Sequence, residues 1–322
     1  LVGLVVLLIA VFLISLLIGR YPKFGLIPFS SLVNDELGRS LVLNLRLPRL
    51  LTAVLLGMSL SAAGTIFQMI FGNPLVEPGF LGVSQGAAFG AAFSIIFITN
   101  SAWAVQISAV VFAFMGLGLS YLFAHRVRFG GWVLRLVLAG IAVSALFSSG
   151  MGILKYIADP LNELQEITFW LLGGLWSITW PKFLSILPAV AIGLYIAYRM
   201  RWRLNLLSLS DETAHSLGSS PGRERSLLIF AGVVATAAVV SVAGLVGWVG
   251  LIIPHIVRRI FGADARYVIP GSMLIGAIFT VICDDLGRVV LAGEIPLGIL
   301  TSLIGAIIFM FLMARSNNLV KK

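Results

Sequence analysis

Apolar residues in this chain come in runs of about twenty, and short polar stretches separate the runs. As a helix, a run of that length crosses roughly 30 Å of hydrocarbon. The pattern predicts ten spans, over residues 2–19, 47–70, 80–99, 103–123, 134–157, 181–199, 227–246, 248–261, 268–290 and 297–314. The eighth is short and contains Pro254, which predicts a half-span. A further short helix is expected near 162–175, within a 161–180 segment facing outward. Residues 1–322 thus read as one all-α, polytopic membrane domain of about ten helices. The Leu1–Ile18 run lacks the basic start and small-residue cleavage site of a leader, so it reads as the first span.

The longest polar interruption is SLSDETAHSLGSSPGRERS, residues 208–226. Its punctuation is that of two short helical pieces. Ser210 is an N-cap residue followed by Asp211 and Glu212, acids that suit the positive end of a helix. Gly218 supplies a stop. Ser220 then caps a second start, with Pro221 at the first helical position. A flexible linker would not carry two sets of helix signals.

Composition agrees with the pattern. Hydrophobic residues make up 59% of the chain and charged residues 11%, against about 25% charged in soluble domains. The net charge of +9 could suggest nucleic acid, but the charges fall in loops between spans, so no nucleic-acid partner is expected. With the N-terminus inside, the cytoplasmic loops hold fourteen of the 22 Lys and Arg, among them Arg126, Arg223, Arg315, Lys321 and Lys322. The outer loops hold the other eight, among them Lys23, Arg46 and Arg288. That bias places both termini, and the 208–226 segment, in the cytoplasm.

Little enzyme chemistry survives inspection. His125, His215 and His255 are far apart, and the lone Cys283 permits no disulfide framework. Asp284 and Asp285 could be a functional carboxylate pair, but Arg288 one turn on makes an intrahelical ion pair the preferred reading. No G-x-x-x-x-G-K-[ST] loop exists, so ATP chemistry and cofactors are not expected of this chain. No acid is placed at mid-membrane depth, which argues against an ion-coupled carrier.

Two further features concern transport. SAAGTIFQMIFGNPLVEPGFLG (61–82) and SVAGLVGWVGLIIPHIVRRIFG (241–262) match at Ser61, Ala63, Gly64, Pro74 and Gly82, against Ser241, Ala243, Gly244, Pro254 and Gly262. This suggests an inverted internal repeat, a design used for alternating access. The fifth span, LAGIAVSALFSSGMG (138–152), is rich in small residues. Close helix packing is the first reading of such a face, and the lining of a path is the second.

At this point the motifs resemble a known family. RLPRLLTAVLLGMSLSAAGTIFQMIFGNPLVEPGFLGVSQGAAFGA (46–91), GLVGWVGLIIPHIVRRIFGADARYVIP (244–270) and DDLGRVVLAGEIPLGILTSLIGAIIFMFLM (284–313) are similar to the signatures of FecCD-type permeases. These are the membrane subunits of ATP-binding-cassette importers for iron-siderophores, haem and cobalamin. Ile307 stands where the family has proline. The resemblance covers about 40–315 and implies a homodimer in a prokaryotic inner membrane. It also implies a separate ATPase dimer inside and a substrate-binding protein outside.

By the same resemblance, Arg46 and Arg288 would meet carboxylates on that binding protein. Gly140, Ser144, Phe147, Ser148 and Met151 would line the pathway, and Val133 and Leu134 would form an apolar inner gate. Ser210, Asp211, Glu212, Ala214, His215, Ser216, Leu217 and Gly218 would form the segment that couples to the ATPase. Apart from Met151, no soft ligand lies on this route, which argues against a bare soft metal ion. A metal chelate is the first expectation for the cargo and an oxyanion such as molybdate the second.

Overall fold

A chain that crosses hydrocarbon must satisfy its backbone internally, and helices do this segment by segment. The computed structural model accordingly shows a helical protein. It describes residues 1–20, 25–27, 35–290 and 293–316. Lys23, Lys321, Lys322 and the Arg315 side chain, which entered the charge count, lie outside the described residues.

Helix α1 (Val2–Leu17) leads into a two-residue antiparallel ribbon, β1 (Ile18–Gly19) with β2 (Gly25–Leu26). Next come α2 (Glu36–Ser40), a π-helical turn (Leu41–Arg46) and α3 (Leu47–Ile70), which run on as one rod. The order continues with α4 (Val83–Phe97), α5 (Ala102–Arg126), α6 (Trp132–Ile157) and the short α7 (Glu163–Leu172). Then follow α8 (Trp180–Arg199), α9 (Arg203–Leu207), α10 (Asp211–Ser216) and α11 (Pro221–Ala243). The chain ends with α12 (Val249–Phe261), α13 (Ala265–Val289) and α14 (Leu297–Ser316). Among the described residues, seven helices are long and apolar enough to cross a membrane, while α1 and α4 are shorter apolar helices. The half-span expected around Pro254 is α12, at 13 residues.

The α2–α3 rod is the centre of the bundle. Its neighbours reach it through small residues, because a Cβ on Gly57 would overlap the carbonyl of Gly276 in α13. One on Gly64 would likewise overlap the carbonyl of Gly250 in α12. Hydroxyls tie the same faces together. Ser61 Oγ donates to the Ser272 carbonyl at 2.7 Å, and Thr280 Oγ1 to that of Ala53 at 2.7 Å. With no hydrophobic drive between helices in lipid, close packing and such bonds hold the bundle.

The echo between 61–82 and 241–262 does not mark equivalent positions. Gly64 lies inside α3, whereas Gly244 caps α11 with φ of +70°. A repeat is visible in the helices instead. Lengths of 24, 15, 25 and 26 residues in α3–α6 are followed by 23, 13, 25 and 20 in α11–α14. Both short members begin after a left-handed residue, Gly82 (φ +78°) and Trp248 (φ +70°). That register differs from the constant offset of the matched residues.

The glycine contacts set a steric limit on this core. Gly64→Val should destabilise the folded protein by at least about 2 kcal/mol, an overpacking cost, read as a lower melting temperature in detergent. Gly118→Val, at a site with open space around it, should stay within about 0.5 kcal/mol.

Candidate functional site

The polar island folds as a braced frame. Ser210 caps α10, with its Oγ accepting the Thr213 N–H at 3.4 Å. Ala214 is fully buried and pins the helix, while Asp211, Glu212, His215, Ser216 and Leu217 are exposed. Gly218 takes φ of +79°, and the Ser219 N–H reaches back to the Ala214 carbonyl at 3.0 Å. Two helical pieces are present, as expected from the capping residues.

The second cap differs from expectation. Ser220 occupies the N-cap position of α11 but makes no side-chain cap. Glu224 does that work from within the helix. It accepts the Ser219 hydroxyl at 2.8 Å and the Ser220 N–H at 3.4 Å, and it pairs with Arg203 of α9. Arg225 joins the pieces, donating to Asp211 at 2.7 Å and to the Leu207 carbonyl at 3.1 Å. Helix α9 itself was not foreseen. Its Asn205 donates to Asp264 at 2.8 Å and accepts the Ala265 N–H at 2.9 Å, which fastens the frame to the α12–α13 turn.

At the opposite end a charged cluster closes over α1. Arg49 makes bidentate contact with Asp284 at 2.9–3.1 Å and with Glu294 at 2.9 Å. Arg288 pairs with Asp285 at 2.6 Å rather than with Asp284, and also caps the Ser15 carbonyl at 2.9 Å. Ser15 bonds to Asp285. Arg46 is only 9% exposed and donates to the carbonyls of Leu16 and Leu17 at 3.2 and 3.3 Å. Arg46 and Arg288 thus share this end of the bundle, as expected, but both are spent on the C-terminus of α1. The exposed charges there include Arg20, Glu36, Arg39 and Glu294.

The expected pathway stripe is divided. Gly140, Phe147 and Met151 are buried inside the protomer. Gly140 lies against the Phe80 carbonyl, and Phe147 sits 5.5 Å from the Phe89 ring in a cluster with Phe112. For these three, packing against α4 and the turn before it overrides a lining role. Ser144 is half-buried and Ser148 exposed. The open face of α6 runs through Leu134, Leu138, Ile141, Ala145, Ser149 and Gly152. Leu134, 48% exposed, stands on that face, while Val133 is half-buried.

One acid escaped sequence reasoning. Residues 71–82 do not stay at the end of α3 but turn back along it. Glu77 lines a small cavity with Leu60 and Gly250, and Leu60 lies ten residues, about 15 Å, before the end of α3. The carboxylate meets the backbone N–H of Trp248. Trp248 is the only non-glycine with positive φ among the described residues, a conformation that persists only when neighbours enforce it. The apolar, Pro-rich and Gly-rich NPLVEPG was the available signal for re-entry. An acid does therefore lie at membrane depth, and its supposed absence no longer separates a permease from an ion-coupled carrier.

A bundle of membrane-crossing helices with a capped, exposed helix braced at one end and a charged cluster at the other defines a polytopic transport subunit. The comparisons make the class specific. The model of the FecCD transport family matches residues 7–315. The molybdate import permease MolB of Haemophilus influenzae is 38% identical, over 95% of this chain and 93% of that protein. The hemin permease HmuU of Yersinia pestis is 39% identical, over 85% and 83% respectively. A solved metal-chelate type ABC transporter in an inward-facing conformation superposes with a TM-score of 0.90 at 38% identity, covering 97% of this chain and 98% of that one. The chain belongs to the FecCD transport family. It is a membrane permease subunit of an ATP-binding-cassette importer, a transport component that works with an ATPase and a binding protein.

Two outcomes test the clusters. Arg49→Met leaves the buried carboxylate of Asp284 unpaired and should cost about 3 kcal/mol or more, with much of it returned in the Arg49→Met/Asp284→Leu double variant. At the α12–α13 turn, the hydrogen bonds from Arg266 and Asn205 hold the Asp264 carboxyl well below the usual carboxylate range. A depressed folded value gives stability that is present above the unfolded value, near about 3.9, and lost as pH falls through the folded one. The melting difference between wild type and Asp264→Asn should therefore be flat from pH 8 to 5 and change only in stronger acid. A change between pH 8 and 6 would contradict this assignment.

Proposed function

We propose that this permease works as a homodimer and passes a metal chelate of the iron-siderophore, haem or cobalamin class from an extracytoplasmic binding protein to the cytoplasm. The carrying observation is the open face of α6. From Leu134 to Gly152 it offers aliphatic and small side chains with the Ser148 and Ser149 hydroxyls, and the single charge in that stretch, Arg135, is turned to the Val127 carbonyl at 3.1 Å. Such a wall carries no code for a small ion and suits a bulky, partly apolar cargo. Leu134, with Val133 beside it, stands at the inner end of this face as an apolar seal.

The cytoplasmic handle is α10. Its exposed residues enter a cleft of the ATPase, and its braces to α9, α11 and the α12–α13 turn pass the motion into the bundle. Both termini lie on the same side, as the Lys and Arg bias supports. The outer rim over α2 and the α13–α14 turn receives the binding protein. Arg46 and Arg288 take part only if docking releases them from α1.

A second reading is an oxyanion cargo, favoured by the likeness to the molybdate permease. Uptake into liposomes carrying permease, ATPase and the cognate binding protein separates the two. Ferric chelate, haem or cobalamin should accumulate on ATP addition, and accumulation of molybdate alone would replace the first reading with the second.

The coupling role has its own test. Asp211 is part of the frame, so Glu212→Arg is the cleaner change. It should abolish co-purification of the ATPase and ATP-driven uptake with melting unchanged, and retention of both would remove α10 from the interface.

A further inference from the structure

An outer-side cavity of about 230 Å³ opens among α5, α7, the start of α8 and the end of α11, and no residue of α6 lines it. It is separate from the proposed path and too small for a chelate, since drug-sized ligands already need about 300 Å³ or more. Its walls carry opposite charges. Lys182 Nζ donates to Ser177 Oγ at 2.9 Å, and Glu166 accepts from Asn100 at 3.5 Å. Among the described residues neither has an ion-pair partner within 4.0 Å. Gln106 spends its N–H on Ser185 Oγ at 2.8 Å, and its amide oxygen has no partner among the described residues.

Half-buried charges that line one cavity without meeting are costly unless something between them supplies the opposite charges. An ammonium suits Glu166 and the Gln106 oxygen, and an anionic oxygen group suits Lys182. Trp176 covers Gly174 and stands edge-on to Phe169 at 6.4 Å, giving an aromatic wall of the kind found at lipid interfaces. We propose that this cavity binds a phosphoethanolamine group, a primary ammonium and a phosphate a few bonds apart, and so clamps α7 to α5 and α8. The group can come from an ethanolamine phospholipid of the outer leaflet or from the free zwitterion.

The test is native mass spectrometry of the full-length permease after delipidation and exchange into nanodiscs of phosphatidylethanolamine or phosphatidylcholine with identical chains. A primary ammonium donates three N–H bonds and a choline none, so ethanolamine lipid should be retained about tenfold more. Glu166→Gln should remove that preference, Lys182→Gln should lower retention of both lipids because both carry the phosphate, and Lys182→Arg should keep retention and preference. Thermal shift with soluble O-phosphoethanolamine separates the sources: stabilisation by it assigns the free zwitterion, and its absence with lipid retention assigns the lipid. Equal retention of the two lipids together with no shift, a preference that survives Glu166→Gln, or retention untouched by Lys182→Gln overturns the proposal. Lys182→Arg keeps the outcome readable should Lys182→Gln fold poorly.

Discussion

The close approach of helices along α3 is the constraint on which the rest depends. In hydrocarbon, apolar side chains gain nothing by leaving lipid for protein, so helices associate through tight contact and through the polar groups they can share. Gly57 and Gly64 let α13 and α12 approach to backbone distance, and the space that results is just wide enough for Ser61, Thr65 and Thr280 to reach neighbouring carbonyls or hydroxyls. Gln68 extends the seam, donating to the Gly250 and Leu251 carbonyls at 3.2 and 3.1 Å and receiving Arg258. A Cβ in the wrong place would open the seam and leave these groups unsatisfied in an apolar medium, where the cost is high.

That seam explains why α12 can be a half-span. Thirteen residues do not cross a bilayer, and the 244–248 connection before it has no helical bonds of its own. Irregular backbone at such depth is tolerated only inside protein. Here it is enclosed by α3, the re-entrant 71–82 segment and α14, where Trp248 packs its Cβ against Gly305 and its ring 6.2 Å from Phe309. Glu77 then has a structural role, since it meets the Trp248 N–H at a residue held in a strained conformation. The 244–248 connection that Glu77 meets starts the short helix α12, whose far end turns into α13 at Asp264, where Asn205 of α9 is fastened.

Much of this was legible in the chain itself. The spans followed from apolar run length, and the two helical pieces of 208–226 followed from Ser210, Gly218 and Pro221, because caps are local chemistry. What failed was everything set by which helix faces which. Asp284 finds Arg49, 235 positions away, in place of its sequence neighbour Arg288. Gly140, Phe147 and Met151 share a helical stripe with Ser144 and Ser148, but a stripe does not say whether protein or an open face lies opposite. Re-entry of 71–82 was missed because its ten-odd residues are too few to register as a span. The helix-level repeat was missed because its register depends on where helices begin, and matched residues do not report that.

The two ends of the molecule differ in how they spend charge, and this bears on how motion can pass between them. At the inner end Arg203, Arg225, Glu224 and Asn205 consume charge and amide groups in holding α9, α10 and α11 to one another and to Asp264, while the outward side of α10 is left open. A push on α10 therefore meets a frame and not a hinge. At the other end the charges lock α1 onto α3 and α13, with Arg288 Nε and Nη1 buried and without partners among the described residues. A buried guanidinium with idle donors gains from any carboxylate that reaches it. The outer cluster is thus the place where a docking carboxylate could be met by rearrangement, and the inner frame the place where rearrangement is resisted. Under the proposed function, that combination gives rigidity where an ATPase would push and spare hydrogen-bonding capacity where a binding protein would arrive.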